Sequence, residues 1–352
     1  MGEWVETRFR DFVKLNRGFD LPNDQMVEGE YPVVASTDIK GYHNEYKIDP
    51  PAVITGRSGS LGTVQYIEKK CVPLNTTLYV KDFKSNNRKF VYYFLKTMHL
   101  ESFNSGAGVP TLNQNHLHGI KLLIPPLPTQ TRIADVLSAY DDAIENNNHR
   151  IALLEKTARE LYREWFVRMR FPGYESVKIA SGLPEEWEVR KLGEIVNFAN
   201  GKSRPETTGN IPVYGGNGVL AHCNNSNQEN GLIIGRVGAY CGSVYYERGL
   251  HWVSDNAIAA KNNDNCTLEF AFHLLQYLDL NKRQTGTGQP LLTQDLLGKI
   301  KIALPPYKLL INFARVTKNI KILCDNLQSQ SQNLAHQRDL LLPRLMSGKL
   351  EV

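Results

Sequence analysis

The 352-residue sequence predicts an α/β (α+β) chain: two pseudo-symmetric globular domains separated by two long antiparallel coiled-coil-like helices. Three observations carry that prediction. The chain matches itself at an offset near 180 residues. Each copy opens with about 125–130 residues of short β-branched or aromatic runs set between Gly, Asn and Pro turns. Each then passes a double proline and enters a long stretch with the apolar spacing of a helical seam.

The self-match keeps its order along the whole chain. Trp4 meets Trp187, Gly18 meets Gly201, and Pro32-Val33 meets Pro212-Val213. Gly56-Arg57 and Gly59 in "TGRSGSLGTV" (Thr55–Val64) meet Gly235-Arg236 and Gly238 in "IGRVGAYCGSV" (Ile234–Val244). Asn75 meets Asn256, "GAGVPTL" (Gly106–Leu112) meets "GTGQPLL" (Gly286–Leu292), and "IKLLIPPL" (Ile120–Leu127) meets "IKIALPPY" (Ile300–Tyr307). Runs such as "PAVITG", "GTVQYI", "GLIIGR" and "GSVYYE" read as strands, and "FVYYFLKTMHL" and "LEFAFHLLQYL" as amphipathic helices, which makes each copy a mixed α/β domain.

Pro125-Pro126 and Pro305-Pro306 stop any element from running through. From about Thr131 to Arg168 one helix is expected, with its seam at Ile133, Leu137, Tyr140, Ile144, Ile151, Leu154, Ala158, Leu161 and Trp165. The partner seam is Phe313, Ile320, Cys324, Leu327, Leu334, Leu341 and Leu345, with Pro343 expected to fray its end. Thirty-odd helical residues span about 50 Å at roughly 1.5 Å each. Asn147 and Ser331 fall in the seam, either as polar positions that set register or where the seam meets solvent. The expected domains are therefore residues 1–126 and 176–306, with helical regions at 127–175 and 307–352.

A hydrophobic content of 41% and a charged content of 22% are ordinary for a globular chain and argue against wholesale disorder. The net charge of +5 mildly favours an acidic partner. Most of the excess sits in residues 307–352, with 7 Lys/Arg against 3 Asp/Glu, so the globular parts must bind any polyanion through local basic patches. Five cysteines without a C-x-x-C pair fit neither a disulfide framework nor a zinc site and are expected to be free thiols. With no signal-peptide core and no apolar run of about 18 residues, a cytoplasmic protein is the expectation.

The motifs that resemble catalytic ones fall short on chemistry. "GRSGSLGTV" and "GRVGAYCGSV" lack the Gly-Lys-Ser/Thr of a phosphate loop, and a strand-like run follows each instead of a helix. They read as turns between strands, with Arg57 or Arg236 free to reach a phosphate or a guanine edge. "LPPY" (Leu304–Tyr307) lacks the acceptor, and "DPPA" (Asp49–Ala52) the ring, of a base-flipping amino-methyltransferase loop. His116 and His118 in "NHLHG" are expected on one face of a strand, with no third ligand at a metal-completing spacing. Glu68 and Lys70 in "YIEKK" read as surface charges rather than a nuclease pair. What remains is a binder, with polar and basic loops recurring at matching places: "NRGFD", "STDIKGYHN" and "GRSGS" in the first copy, "NGKSRPE", "GGNGVLAH" and "GRVGAY" in the second.

Over essentially its full length the chain resembles the DNA-specificity subunit of type I restriction–modification systems. The resemblance rests on the duplicated domains, the central "PPLPTQTRIADVLSAYDDAIENNNHRIALLEKTARELYREWFVRMRFPGYE", the following "GLPEEWEVRKLGEI" and the closing "QRDLLLPRLMSGKLEV". It implies two target-recognition domains, each reading one half of a bipartite asymmetric site on double-stranded DNA. The helices would set the spacing and dock two modification (methyltransferase) subunits, and a restriction (translocase/nuclease) subunit would join for cleavage. It implies no active site and no cofactor in this chain, with S-adenosylmethionine, ATP and Mg on partner subunits. The DNA contacts it points to are Arg17, Lys40, Arg57, Ser58 and Ser60 in the first copy, and Lys202, Ser203, Arg204, Asn217, Arg236 and Tyr240 in the second. The subunit-docking residues would be Arg132, Asp135, Tyr162, Arg163, Trp165, Arg338 and Arg344 on exposed helix faces, Trp165 alternatively serving only the seam. The rival readings are a stand-alone nucleic-acid-modifying enzyme and a coiled-coil protein scaffold that binds no DNA.

Overall fold

A computed structural model of the chain describes residues 3–106, 108–205, 208–283 and 290–352. Glu206 of the "NGKSRPE" loop and the "GTGQ" stretch at 286–289 lie outside the described residues. Two compact units divide the chain: Met1–Asn148 with Ser329–Val352, and His149–Gln328.

In the first unit β1 (Val5–Arg8) leads through a short α1 (Phe9–Phe12) into β2 (Lys14–Arg17). The strands β3 (Tyr31–Val34), β4 (Ile39–His43), β5 (Ala52–Gly56), β6 (Val64–Ile67), β7 (Val72–Pro73) and β8 (Thr77–Asp82) follow. Then come α2 (Arg88–Thr97), a single turn α3 (Gln114–Leu117) and β9 (Lys121–Ile124). They build a sheet in the order β2-β8-β5-β6, a second in the order β4-β3-β7, and the pair β1-β9. Phe9, Phe12, Leu15, Val53, Leu78, Phe90 and Phe94 close the core between α2 and the first sheet. Asn87 caps α2 by accepting from the Phe90 N–H at 3.0 Å.

The second unit repeats the plan. After the small pair β10 (Ile179–Ala180) and β11 (Leu183–Pro184) come β12 (Glu188–Lys191), β13 (Val196–Asn200), β14 (Ile211–Gly215), β15 (Gly218–Cys223) and β16 (Gln228–Gly235). The chain continues through β17 (Val244–Val253), β18 (Ala257–Asn262), α5 (Leu268–Tyr277), α6 (Gln294–Gly298) and β19 (Lys301–Leu304). Here one sheet holds six strands, in the order β13-β18-β16-β17-β14-β15. The difference lies in one strand: β17 runs unbroken, whereas the exposed Glu68-Lys69-Lys70 interrupts the equivalent stretch between β6 and β7. The parallel pairing survives in both, Val33 with Val72 and Val213 with Trp252.

The two long helices are α4 (Leu127–Tyr162) and α7 (Tyr307–Met346). The start of α4 (Ile133, Ala134, Leu137) shares the first unit's core with the end of α7 (Leu342, Leu345, Met346), so the two run antiparallel there. Tyr162 of α4 and Leu310 and Phe313 of α7 share the core of the second unit. Helix α4 begins four residues before the expected start, because Pro128 sits in the first turn, where the missing N–H has no intrahelical partner to lose. Past Tyr162 it continues as a π turn, Arg163–Val167. Helix α7 is not frayed by Pro343: burial of Leu342, Leu345 and Met346 holds the last turn despite the lost donor. Asn147 and Ser331 are both buried. His116 and His118 stand on and just after the α3 turn rather than on a strand.

Candidate nucleic-acid interface

Each unit gathers three loops at the ends of its strands, and the same backbone bonds do the gathering. In the first unit β5 runs into Gly56-Arg57, and the Arg57 N–H donates to the Thr76 carbonyl at 2.8 Å. The Leu112 N–H donates back to the Arg57 carbonyl at 2.8 Å, and Gly59 N–H to Pro110 at 3.0 Å. In the second unit Arg236 N–H donates to Asn256 at 3.1 Å, Leu292 N–H to Arg236 at 3.0 Å, and Gly238 N–H to Pro290 at 3.4 Å. The first strand's end is fixed the same way: Gly18 N–H to Thr77 and Phe19 N–H to Pro73, against Gly201 N–H to Ala257 and Lys202 N–H to Val253.

This explains the repeated glycines. A Cβ on Gly56 would collide with the Ser60 carbonyl, and one on Gly235 with the Tyr240 carbonyl. Gly59 and Gly238 take φ of +82° and +71°, the left-handed region where a side chain is strained. The Gly-Arg-x-Gly motif is thus a strand-to-strand turn between β5 and β6, and between β16 and β17.

Side chains complete the edge. In the first unit Ser36, from the β3–β4 hairpin, donates to the carbonyls of Ser58 (3.1 Å) and Thr76 (2.8 Å), clamping the hairpin tip to the glycine turn. Arg57 Nη1 donates to the Asn75 carbonyl at 3.3 Å. The Asn75 amide donates to Asp20 Oδ1, which also accepts from Arg17 Nη2 at 3.2 Å. Arg17 and Arg57 are therefore linked through Asp20 and Asn75. Ser58 is half-buried and Ser60 is exposed. Lys40 stands apart on β4, exposed and bonded to Asn23 at 2.7 Å.

The second unit's edge has the same frame with fewer internal ties. Asn217 is exposed at the β14–β15 tip, and the neighbouring Gly216 carbonyl accepts from Ser243 at 2.5 Å, which clamps this tip to its glycine turn. Tyr240 is 52% exposed on that turn. Lys202, Ser203 and Arg204 are exposed beyond β13. Arg236 is half-buried, and its Nε has no hydrogen-bond partner among the described residues. The predicted contacts of each copy, Lys40 aside, thus lie on loops bonded to one another. Asp20 and Asn75 complete the first set; Asp20 closes the "NRGFD" stretch, whereas the backbone bonds pair Asn256 with Thr76 and not with Asn75.

On the long helices, Arg132, Asp135, Arg163 and Arg344 are exposed, Arg163 pairing with Glu160 at 2.7 Å. Tyr162 is not on an exposed face. Only 4% of it is accessible, because its ring lies among Phe166, Phe270, His273 and Phe313 in the second unit's core. Trp165 is half-buried, 5.8 Å from the Phe313 ring, so it serves packing. Arg338 is also largely covered, its side chain 17% exposed and paired with Asp141.

All five cysteines are free and buried. Among the described residues no cluster of three or more His, Cys, Asp and Glu is placed to hold a metal ion, and no helix is long and apolar enough to cross a membrane.

Comparisons with known proteins agree on one family. The family model for the type I restriction modification DNA specificity domain matches twice, over residues 1–156 and 184–309. The specificity subunit of the type I restriction enzyme MjaVIII from Methanocaldococcus jannaschii is 24% identical, covering 99% of this chain and 93% of that protein. The MjaIX specificity subunit of the same organism is 25% identical over 75% of this chain and 69% of its own length. Among solved structures, the S subunit of a type I restriction-modification system from M. genitalium shares the fold. Its TM-score is 0.68 at 21% identity, covering 98% of this chain and 96% of that one.

Proposed function

Since the chain belongs to the type I restriction modification DNA specificity family, we propose that it is the non-catalytic subunit that chooses the DNA sequence for a restriction–modification complex. Residues 1–126 and 176–306 are its two target-recognition domains, each reading one half of a bipartite, asymmetric site. The helical regions 127–175 and 307–352 set the spacing and dock two methyltransferase subunits. Those partners supply S-adenosylmethionine and adenine N6-methylation; a restriction subunit, where one joins, brings ATP- and Mg-dependent translocation and cleavage. The complex works in the cytoplasm.

One observation carries this reading. The two units hold their loops with the same backbone bonds and fill them with different side chains: Arg17, Asp20 and Arg57 in one, Lys202, Arg204, Arg236 and Tyr240 in the other. A shared frame with different readers is what two unequal half-sites require. Arginine is suited to guanine O6/N7 and to phosphate, and asparagine to adenine. The exposed Arg132, Asp135, Arg163 and Arg344 are the helix positions offered to the methyltransferase subunits.

The test is methylome sequencing of a host carrying this chain with and without its modification partner. A split adenine-methylated motif appears only with both. Replacing residues 1–126 by those of a relative changes one half of the motif; a change in both halves, or methylation by this chain alone, overturns the assignment.

A further inference from the structure

Asp20 is an unexpected residue at this edge. Its side chain is 69% exposed and stands with Arg17 and Arg57, the cations that suit a phosphate or a guanine. A carboxylate there lowers the attraction for a polyanion, because each cation it neutralises is one fewer to displace counterions from the DNA. Its two oxygens differ. Oδ1 accepts from Arg17 and from the Asn75 amide, while Oδ2 has no hydrogen-bond partner among the described residues. The result is an exposed, acceptor-only atom held in place by the two groups that bond its other oxygen.

We propose that Asp20 is a specificity-determining residue of the first half-site, its free oxygen accepting from a base amino group in the major groove. An ionised carboxylate cannot donate, so phosphates and the acceptors N7, O6 and O4 are excluded as partners. The amino groups N4 of cytosine and N6 of adenine are the donors that remain there. With Gly18 aligned to Gly201, the second copy carries Ser203 where the first has Asp20, and its exposed carboxylate is instead Asp255, at the place of Asn75. The asymmetry between the copies is then chemical at this place: a carboxylate tied to Arg17 and Asn75 on one side, and a hydroxyl on the other.

The inference rests on the proposed DNA reading, and one experiment separates the two. Asp20→Asn keeps an oxygen to accept from Arg17 and Asn75 but turns the free atom into an NH2 donor. The full chain with its modification partner is assayed by methylome sequencing and by competition binding to duplexes varied at each position of the motif. Asp20→Asn is expected to change the preference at a single position of the first half, from an amino base towards guanine or thymine. The original base there should lose roughly ten- to a hundredfold in discrimination. Cytosine at that position in the wild-type motif identifies N4 as the group read; adenine identifies N6. The second half-motif, written by the same molecule, reports that the variant is folded. An unchanged motif, or equal weakening at every position of the first half, overturns the role of Asp20 and leaves the proposed function standing. Absence of any split motif with the wild-type chain overturns both.

Discussion

Tyr93 on α2 and His273 on α5 occupy equivalent positions in the two units, and the repeat gives them different electrostatics. The Tyr93 hydroxyl donates to Asp141 Oδ2 at 2.5 Å, and Asp141 in turn pairs with Arg338 of α7. Burial, and then the bonded carboxylate, push the Tyr93 hydroxyl far above its ordinary range. His273 has no such partner. Its Nδ1 is buried and unbonded among the described residues, its ring lies against Tyr162 and Phe313, and burial, then Arg159, lowers it to about 4. The comparison shows what duplication preserves. Backbone bonds and apolar positions persist, while the bonding of buried polar groups differs from copy to copy.

The strongest way to test that separation is to damage one core at a time. Phe90 and Phe270 are equivalent, essentially inaccessible, and each belongs to a core built from residues of its own unit. Phe90→Ala and Phe270→Ala should each cost about 3–5 kcal/mol. Hydrogen exchange should show lost protection confined to Met1–Asn148 with Ser329–Val352 in the first variant, and to His149–Gln328 in the second. Equal loss in both units from either variant would end the description as two separable cores.

A smaller effect sharpens the Tyr93/His273 contrast. A histidine whose folded pKa is depressed binds its proton in the unfolded state first, so its contribution is complete above about 6.5 and is lost as pH falls towards 4. The window is worth about 3 kcal/mol to the second unit. Tyr93 does not titrate there, so acid should loosen the second unit before the first. His273→Phe should flatten most of the slope in denaturant melts between pH 6.5 and 4. His251, also lowered by burial, acts in the same direction. First-unit amides losing protection earlier than second-unit amides would contradict the account.

Much of this architecture was written in the sequence in a form that local chemistry exposes. The repeat, the strand-like runs around each Gly-Arg-x-Gly and the apolar seams of α4 and α7 follow from period and turn composition. What period cannot show is a helix covered on more than one face. Tyr162 follows Leu161 of the predicted seam and belonged by spacing to an exposed face; the second unit's domain packs over it and buries it. Arg338 likewise reads as surface in the sequence, because its partner Asp141 lies about 200 residues away and only the antiparallel helices bring them together. At the interface, loop composition located the reading edge. The bonds from Asp20 to Asn75 and from Ser36 to Ser58 depend on loop ends that meet only after the strands pair. His116 of "NHLHG" lies in a helical turn, with His118 just after it, because Asn113 accepts from the Asn115 N–H at 3.0 Å, a local bond that competes with strand pairing.

The smallest expected difference lies at the start of α2 and α5. Asn87 and Thr267 are equivalent caps, accepting from the Phe90 N–H at 3.0 Å and the Phe270 N–H at 3.3 Å. Either cap replaced by alanine should cost about 1 kcal/mol. Asn87 does more than cap: its amide also donates to Thr131 Oγ1 at 3.3 Å, and its backbone N–H to the buried Gln130 Oε1 at 3.0 Å, tying α2 to the first turn of α4. The backbone bond survives a change to alanine and the amide bond does not, so Asn87→Ala should exceed Thr267→Ala by about 0.5–1 kcal/mol. Thr131→Val isolates that increment: in its background the two cap substitutions should become equal in urea melts. If the gap between them persists, the Thr131 bond contributes nothing and the difference belongs to the caps themselves.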